Sequence, residues 1–166
     1  RPALASLRGT NPDVQHAVVG VLNSVHRSLD DVELQCPGGE AFMECCTLEA
    51  LSLAHVVMYH AGDDFAKECD SLASVTLPRV LRCVGDRAFG VCEALTRLDL
   101  STTSITKIGK AFCVRCTALV EVAFPASLED FSGMVNFCKC ESLAQIDLSH
   151  TSITEIGSSF ANHCHS

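Results

Sequence analysis

The sequence predicts an α/β solenoid: a right-handed superhelix with short parallel strands on its concave face and a capping helix at its N-terminal end. Three observations predict it. Six of the eleven cysteines fall at 45, 69, 92, 116, 140 and 164, in steps of 24, 23, 24, 24 and 24 residues. An apolar phrase and a glycine recur at the same period. The twelve residues from Leu98, LDLSTTSITKIG, return at Ile146 as IDLSHTSITEIG with nine identities, at an offset of 48 that spans two periods.

Residues 1–28 form an N-terminal segment. Within it, Asn11 is an N-cap candidate, Pro12 suits the first helical position and Asp13 suits the helix dipole. Val14, Ala17, Val18, Val21, Leu22, Val25 and Leu29 make one apolar stripe, so 11–29 reads as a helix covering the first rung. Residues 29–166 form about six repeats of 23–24 residues. The first rung is Leu29, Val32 and Leu34 followed by Cys36-Pro37-Gly38-Gly39. After each of the first five ladder cysteines a Leu follows at the third residue (48, 72, 95, 119, 143), and then a pair of anchors: Leu51 and Leu53, Val75 and Leu77, Leu98 and Leu100, Val122 and Phe124, Ile146 and Leu148. Anchors two apart define a strand with both side chains inward, and successive strands stack as a parallel sheet about 4.8 Å apart. Glycines at 39, 62, 85, 109, 133 and 157 are expected to permit a turn that other residues would strain. Phe42, Phe65, Phe89, Phe112, Phe137 and Phe160 lie on the convex return, expected as a helical turn, and fill the core. The ladder cysteines serve as small buried hydrophobes with a weak donor. One rung cannot bury its own apolar face, whereas a stack can. The chain opens at Arg1 and stops at Cys164-His165-Ser166 without a polar cap, so a fragment truncated at its C-terminal end is expected.

Val84-Gly85-Asp86-Arg87-Ala88-Phe89, with Cys92 and Leu95, and Ile108-Gly109-Lys110-Ala111-Phe112, with Cys116 and Leu119, carry a specific resemblance. The repeats resemble those of the BspA-like leucine-rich repeat family, over roughly residues 29–166. One repeat departs: Phe131-Ser132-Gly133 replaces the Ile-Gly pair, and Asn136 stands in the aromatic slot. The resemblance implies a leucine-rich repeat fold and a protein-interaction module. Relatives of this type include cell-surface proteins.

Composition excludes several classes. Apolar residues make up 48% and charged residues 19%, enough for a core. A net charge of −8 with no Lys/Arg cluster argues against a nucleic-acid partner. The absence of Trp and the single Tyr remove an aromatic stacking platform. No run of about 18 apolar residues exists, so no membrane insertion is expected. Cys113, Cys116, Cys138 and Cys140 have the residue types of a zinc site, but Cys116 and Cys140 are ladder positions and the other two read as incidental small residues. His163-Cys164-His165 reads as a frayed terminus rather than a metal site. No histidine recurs beside a cysteine as an activated nucleophile requires, and no phosphate loop or paired-carboxylate motif is present. The expectation is no enzyme, no metal and no cofactor. Free buried thiols favour an intracellular (cytoplasmic) location over a cell-surface or secreted one.

Function is then read from the strand positions that flank the central anchors: Asp31 and Glu33, Ala50 and Ser52, Ser74 and Thr76, Arg97 and Asp99, Glu121 and Ala123, Gln145 and Asp147. Five are acidic and one is basic. A solvated face without a partner is one reading. The favoured one is a protein-binding concave surface with Arg97, Asp99, Glu121, Gln145 and Asp147 at its centre, facing a protein partner of basic character. The alternative is a substrate-recognition or scaffolding arm of a larger enzyme or surface protein. The open C-terminal rung offers a second contact, with another copy of the chain. The hydroxyls of Thr103, Ser104, Thr106, Thr151, Ser152 and Thr154 read as turn chemistry.

Overall fold

The structure, a computed structural model, describes residues 39–164. The capping helix expected over 11–29 and the first rung at Leu29, Val32 and Leu34 lie outside them. Among the described residues there are eight short strands: β1 (Ala50–Ser52), β2 (His60–Ala61), β3 (Ser74–Thr76), β4 (Cys83–Val84), β5 (Arg97–Asp99), β6 (Lys107–Ile108), β7 (Glu121–Ala123) and β8 (Gln145–Ile146). Every pairing among them is parallel, and each joins equivalent positions of successive rungs. The anchors set the register of a front face, with Leu51 opposite Val75, and Leu98 opposite Val122 opposite Ile146. A second sheet, β2-β4-β6, aligns Ala61, Val84 and Ile108, and bridges at Lys107–Asp130 and Phe131–Ile156 extend it.

The front sheet is not continuous. Its strands form two ladders, β1-β3 and β5-β7-β8. The interruption coincides with the one 23-residue step, between Val75 and Leu98. The shortage arises after Leu77, where the Pro78 link brings Val84 nine residues behind Val75, against ten from Leu98 to Ile108. The Pro125 link is equally short, but there Ser132 is inserted ahead of Gly133 and restores the 24-residue period. Asp130 Oδ1 holds the inserted residue, accepting from its N–H at 3.1 Å and its hydroxyl at 2.6 Å. This insertion is the departure visible in the sequence. The links of the third and fifth described rungs contain Thr103 and Thr151, whose hydroxyls each donate at 2.7 Å, to the Leu100 and Leu148 carbonyls. Alternating link types account for the repeat at twice the period.

The expected helical turn on the return side is corrected: no helix occurs among the described residues. The backbone there instead enters the left-handed region at paired non-glycine positions, Glu40 and Glu44, Asp64 and Glu68, Arg87 and Val91, Ala111 and Arg115. Alternate N–H groups therefore point along the stack rather than along their own segment. Phe42, Glu44 and Glu40 donate to the carbonyls of Phe65, Lys67 and Asp63 at 2.7, 2.8 and 2.9 Å, and the pattern continues upward. Each left-handed residue costs about 1–2 kcal/mol, which the bonds between rungs offset. The glycines act differently from expectation as well. A Cβ at Gly109 would stand 2.6 Å from the Gly85 carbonyl carbon, so close approach of stacked backbones, rather than a turn dihedral, requires glycine.

The core runs the length of the stack. Leu51, Val75, Leu98 and Val122 are buried in line, while Ile146 on the last described strand is only partly buried. Phe42, Phe65, Phe89, Phe112 and Phe137 pack edge to face with centroids 5.3, 6.2, 5.6 and 6.1 Å apart, a favoured aromatic geometry. In the departing repeat Phe137 takes the aromatic place. Asn136 is fully buried beside it, accepting from the Phe112 N–H at 2.7 Å and donating to the Gly133 carbonyl at 2.9 Å. Its side chain thus substitutes for a carbonyl that the neighbouring rung would have supplied.

Candidate functional site

The front face of β5, β7 and β8 carries Arg97, Asp99, Glu121, Gln145 and Asp147, the five residues expected at its centre, while Asp31 and Glu33 lie outside the described residues. Arg97, Glu121 and Gln145 are in register on its three strands, all exposed, over the buried Leu98 and Val122. Asp99 and Asp147 form the other exposed column, two residues further along, with half-buried Ala123 between them. The alternation follows from strand geometry, because neighbours of an inward anchor point outward. The β1-β3 portion presents Ala50, Ser52, Ser74 and Thr76, small and uncharged.

The charges on this face are ordered. Asp99 Oδ1 accepts from the Ser101 hydroxyl at 2.6 Å and its N–H at 3.0 Å, which lowers the carboxyl's pKa. Ser149 does the same for Asp147, whose Oδ1 accepts from the Ser149 N–H at 2.9 Å. Both stay ionised at neutral pH with their orientation fixed by the turn. Arg97 Nη1 lies 3.7 Å from Glu121 Oε2, with both side chains more than half exposed, so this pair contributes little. His150, which sequence reasoning did not select, stands at the edge of the same face with Nε2 2.8 Å from the Phe124 carbonyl oxygen. The signal was present: Thr102 and His150 are one of the three mismatches between the two copies of the repeated phrase.

The cysteines form a second ordered set. Cys69, Cys92, Cys116, Cys140 and Cys164 donate through Sγ to the carbonyls of Phe42, Ala66, Phe89, Cys113 and Phe137, at 3.0, 3.1, 3.0, 2.9 and 3.2 Å. The acceptor always lies three residues before the previous ladder cysteine. The thiol therefore ties rung to rung, and the weak donor expected from the sequence has a defined partner. No described cysteine forms a disulfide, and Cys69, Cys92, Cys116 and Cys140 are fully buried. Burial pushes the Cys113 thiol well up, and its backbone carbonyl accepts from Cys140, a role that a Phe or Ala carbonyl fills in the other rungs. Among the described residues no group of three or more His, Cys, Asp or Glu is placed to hold a metal ion, and no helix is long and apolar enough to cross a membrane.

A stack of parallel rungs with one ordered, open strand face defines a solenoid repeat protein. The pattern of the BspA type leucine rich repeat region matches residues 38–166 in six copies, and the chain belongs to that family. Among solved structures it is similar to the leucine rich repeat protein of T. pallidum (TpLRR), at 20% identity and a TM-score of 0.52, over 78% of this chain and 69% of that one. A leucine-rich repeat protein from Bacteroides ovatus is similar at 18% identity and a TM-score of 0.46, over 66% of this chain and 34% of that one. No curated protein matches the chain.

Proposed function

We propose that the chain is a non-catalytic protein-interaction module whose partner docks on the front face of β5, β7 and β8 through Arg97, Asp99, Glu121, Gln145 and Asp147. One observation carries the reading: these five polar side chains are exposed together on one unbroken ladder above a closed core. Groups on rigid strands are held ready for a partner at little ordering cost. Solenoid faces are extended docking surfaces, which supports the same reading. Three of the five are acidic and the chain carries −8 overall, so the partner presents a basic patch. Nucleic acid and membrane are not partners in this reading, and the free thiols fit an intracellular, reducing compartment.

The test is to capture partners on the wild-type chain and on Asp99→Ser, Glu121→Ser, Asp147→Ser combined. The substitutions lie on exposed positions, so melting temperature should hold while capture falls, and capture should weaken as salt rises. An unchanged catch rejects the front face.

A further inference from the structure

The front face holds a depression of about 270 Å³, lined by Glu121, Val122, Ala123, Gln145, Asp147 and His150. Its chemistry is divided. Val122 and Ala123 supply an apolar floor, and two carboxylates and an amide stand around it. The bond from Ser149 occupies Asp147 Oδ1, leaving Oδ2 for a ligand. Among the described residues Glu121 is engaged by the long, exposed contact to Arg97, which a better placed cation displaces. A planar guanidinium on an aliphatic stem matches such a cup: the stem lies on apolar surface, and the fork of donors meets carboxylates and an amide oxygen.

His150 adds a control. A carbonyl oxygen only accepts, so the nitrogen facing Phe124 carries hydrogen and Nδ1 is the one left to take a second proton. The charged groups around the imidazole are Asp147 and Glu121 in the lining, with Arg97 and Asp99 on the next strand. A proton on His150 therefore adds a positive charge beside the carboxylates that would hold the guanidinium.

We propose, resting on the docking reading above, that this depression is the specificity pocket for an arginine side chain of an extended basic peptide segment, and that protonation of His150 releases it. The imidazole belongs to this copy of the repeated phrase alone, since the equivalent position in the other copy is Thr102. One added charge at about 5–6 Å, through a solvent-rich medium, weakens binding about three- to tenfold.

The probe is a fluorescent Gly-Arg-Gly-Arg-Gly peptide at low ionic strength, measured by anisotropy and by amide shift mapping on the whole chain. Its controls are the same peptide with lysine and with citrulline, the neutral isostere of arginine. Shifts should concentrate at Val122, Ala123, Gln145, Asp147 and His150, with arginine bound more tightly than lysine and citrulline not bound. Affinity should fall about three- to tenfold as pH is lowered from neutral. His150→Thr, and His150→Gln, which keeps a donor toward Phe124, should bind with no such pH dependence. Asp147→Asn, which keeps an acceptor for Ser149, should weaken binding several-fold. Shifts centred elsewhere, equal binding of citrulline, or an unchanged pH profile in both His150 variants would overturn the proposal. The two readings separate cleanly. If the peptide seats as described but the triple front-face variant still captures its partner, docking fails alone. If that capture collapses while the peptide ignores the depression, the pocket fails alone.

Discussion

Replacing ladder cysteines by alanine should reveal two distinct costs along one ladder. Each substitution removes a fully buried thiol, about 1–2 kcal/mol for lost burial and the small cavity left. The carbonyls left behind differ. The Phe42 carbonyl, which receives the Cys69 thiol, also accepts the Cys45 N–H at 3.2 Å, and the Cys113 carbonyl, which receives Cys140, also accepts the Cys116 N–H at 3.4 Å. The Ala66 and Phe89 carbonyls, which receive Cys92 and Cys116, take no other hydrogen bond among the described residues. Orphaning a buried acceptor adds about 1–3 kcal/mol. Cys92→Ala and Cys116→Ala should therefore cost about 2–5 kcal/mol, and Cys69→Ala and Cys140→Ala about 1–2. Equilibrium urea unfolding under reducing conditions, with all four variants side by side, measures the difference. Four equal losses, or larger losses at 69 and 140, would refute the assignment of the thiols as carbonyl donors.

Asn136→Ala should cost about 2–4 kcal/mol by leaving the buried Phe112 N–H without its acceptor, measured by the same unfolding assay. Gly109→Ala should cost about 2–4 kcal/mol, because its Cβ meets the backbone of Gly85 and Asp86 as well as the Asp86 carboxylate, and thermal melting will show it. Asp130 should make stability fall in acid. Hydrogen bonds from Lys107 and then Ser132 lower its pKa from 3.8 to about 2, so its contribution is complete above about pH 4 and lost as pH falls through about 2. Asp130→Asn should flatten the stability profile across that window by removing the contribution that the carboxylate makes above about pH 4.

The sequence displays the inward half of this fold and hides the backbone half. Anchors such as Leu98 and Val122, the phenylalanine stack and the ladder cysteines recur with the period because each rung buries the same places. The exposed row from Arg97 to Asp147 follows from them by strand alternation. The return side gives no such signal. Its left-handed positions include Glu, Asp, Arg, Val, Ala, Phe, Lys, Ser and His rather than the glycine or asparagine that usually mark them, because bonds to the next rung impose the conformation. The break between β3 and β5 was present as one short step, but its effect depends on the link after Pro78. Asn136 looked like a defect in the aromatic pattern, since nothing local shows that its amide replaces a neighbour's carbonyl. His150 stood in plain view as a mismatch, yet its place beside Glu121 and Asp147 needs the third dimension.

Hydrogen exchange of the whole chain, alone and with a captured protein partner, tests the docking account most directly. The account predicts added protection in peptides covering 97–99, 121–123 and 145–150, with the second sheet at 60–61, 83–84 and 107–108 unchanged. Protection confined to that second sheet or to the return side, with the front-face peptides unaltered, would contradict it.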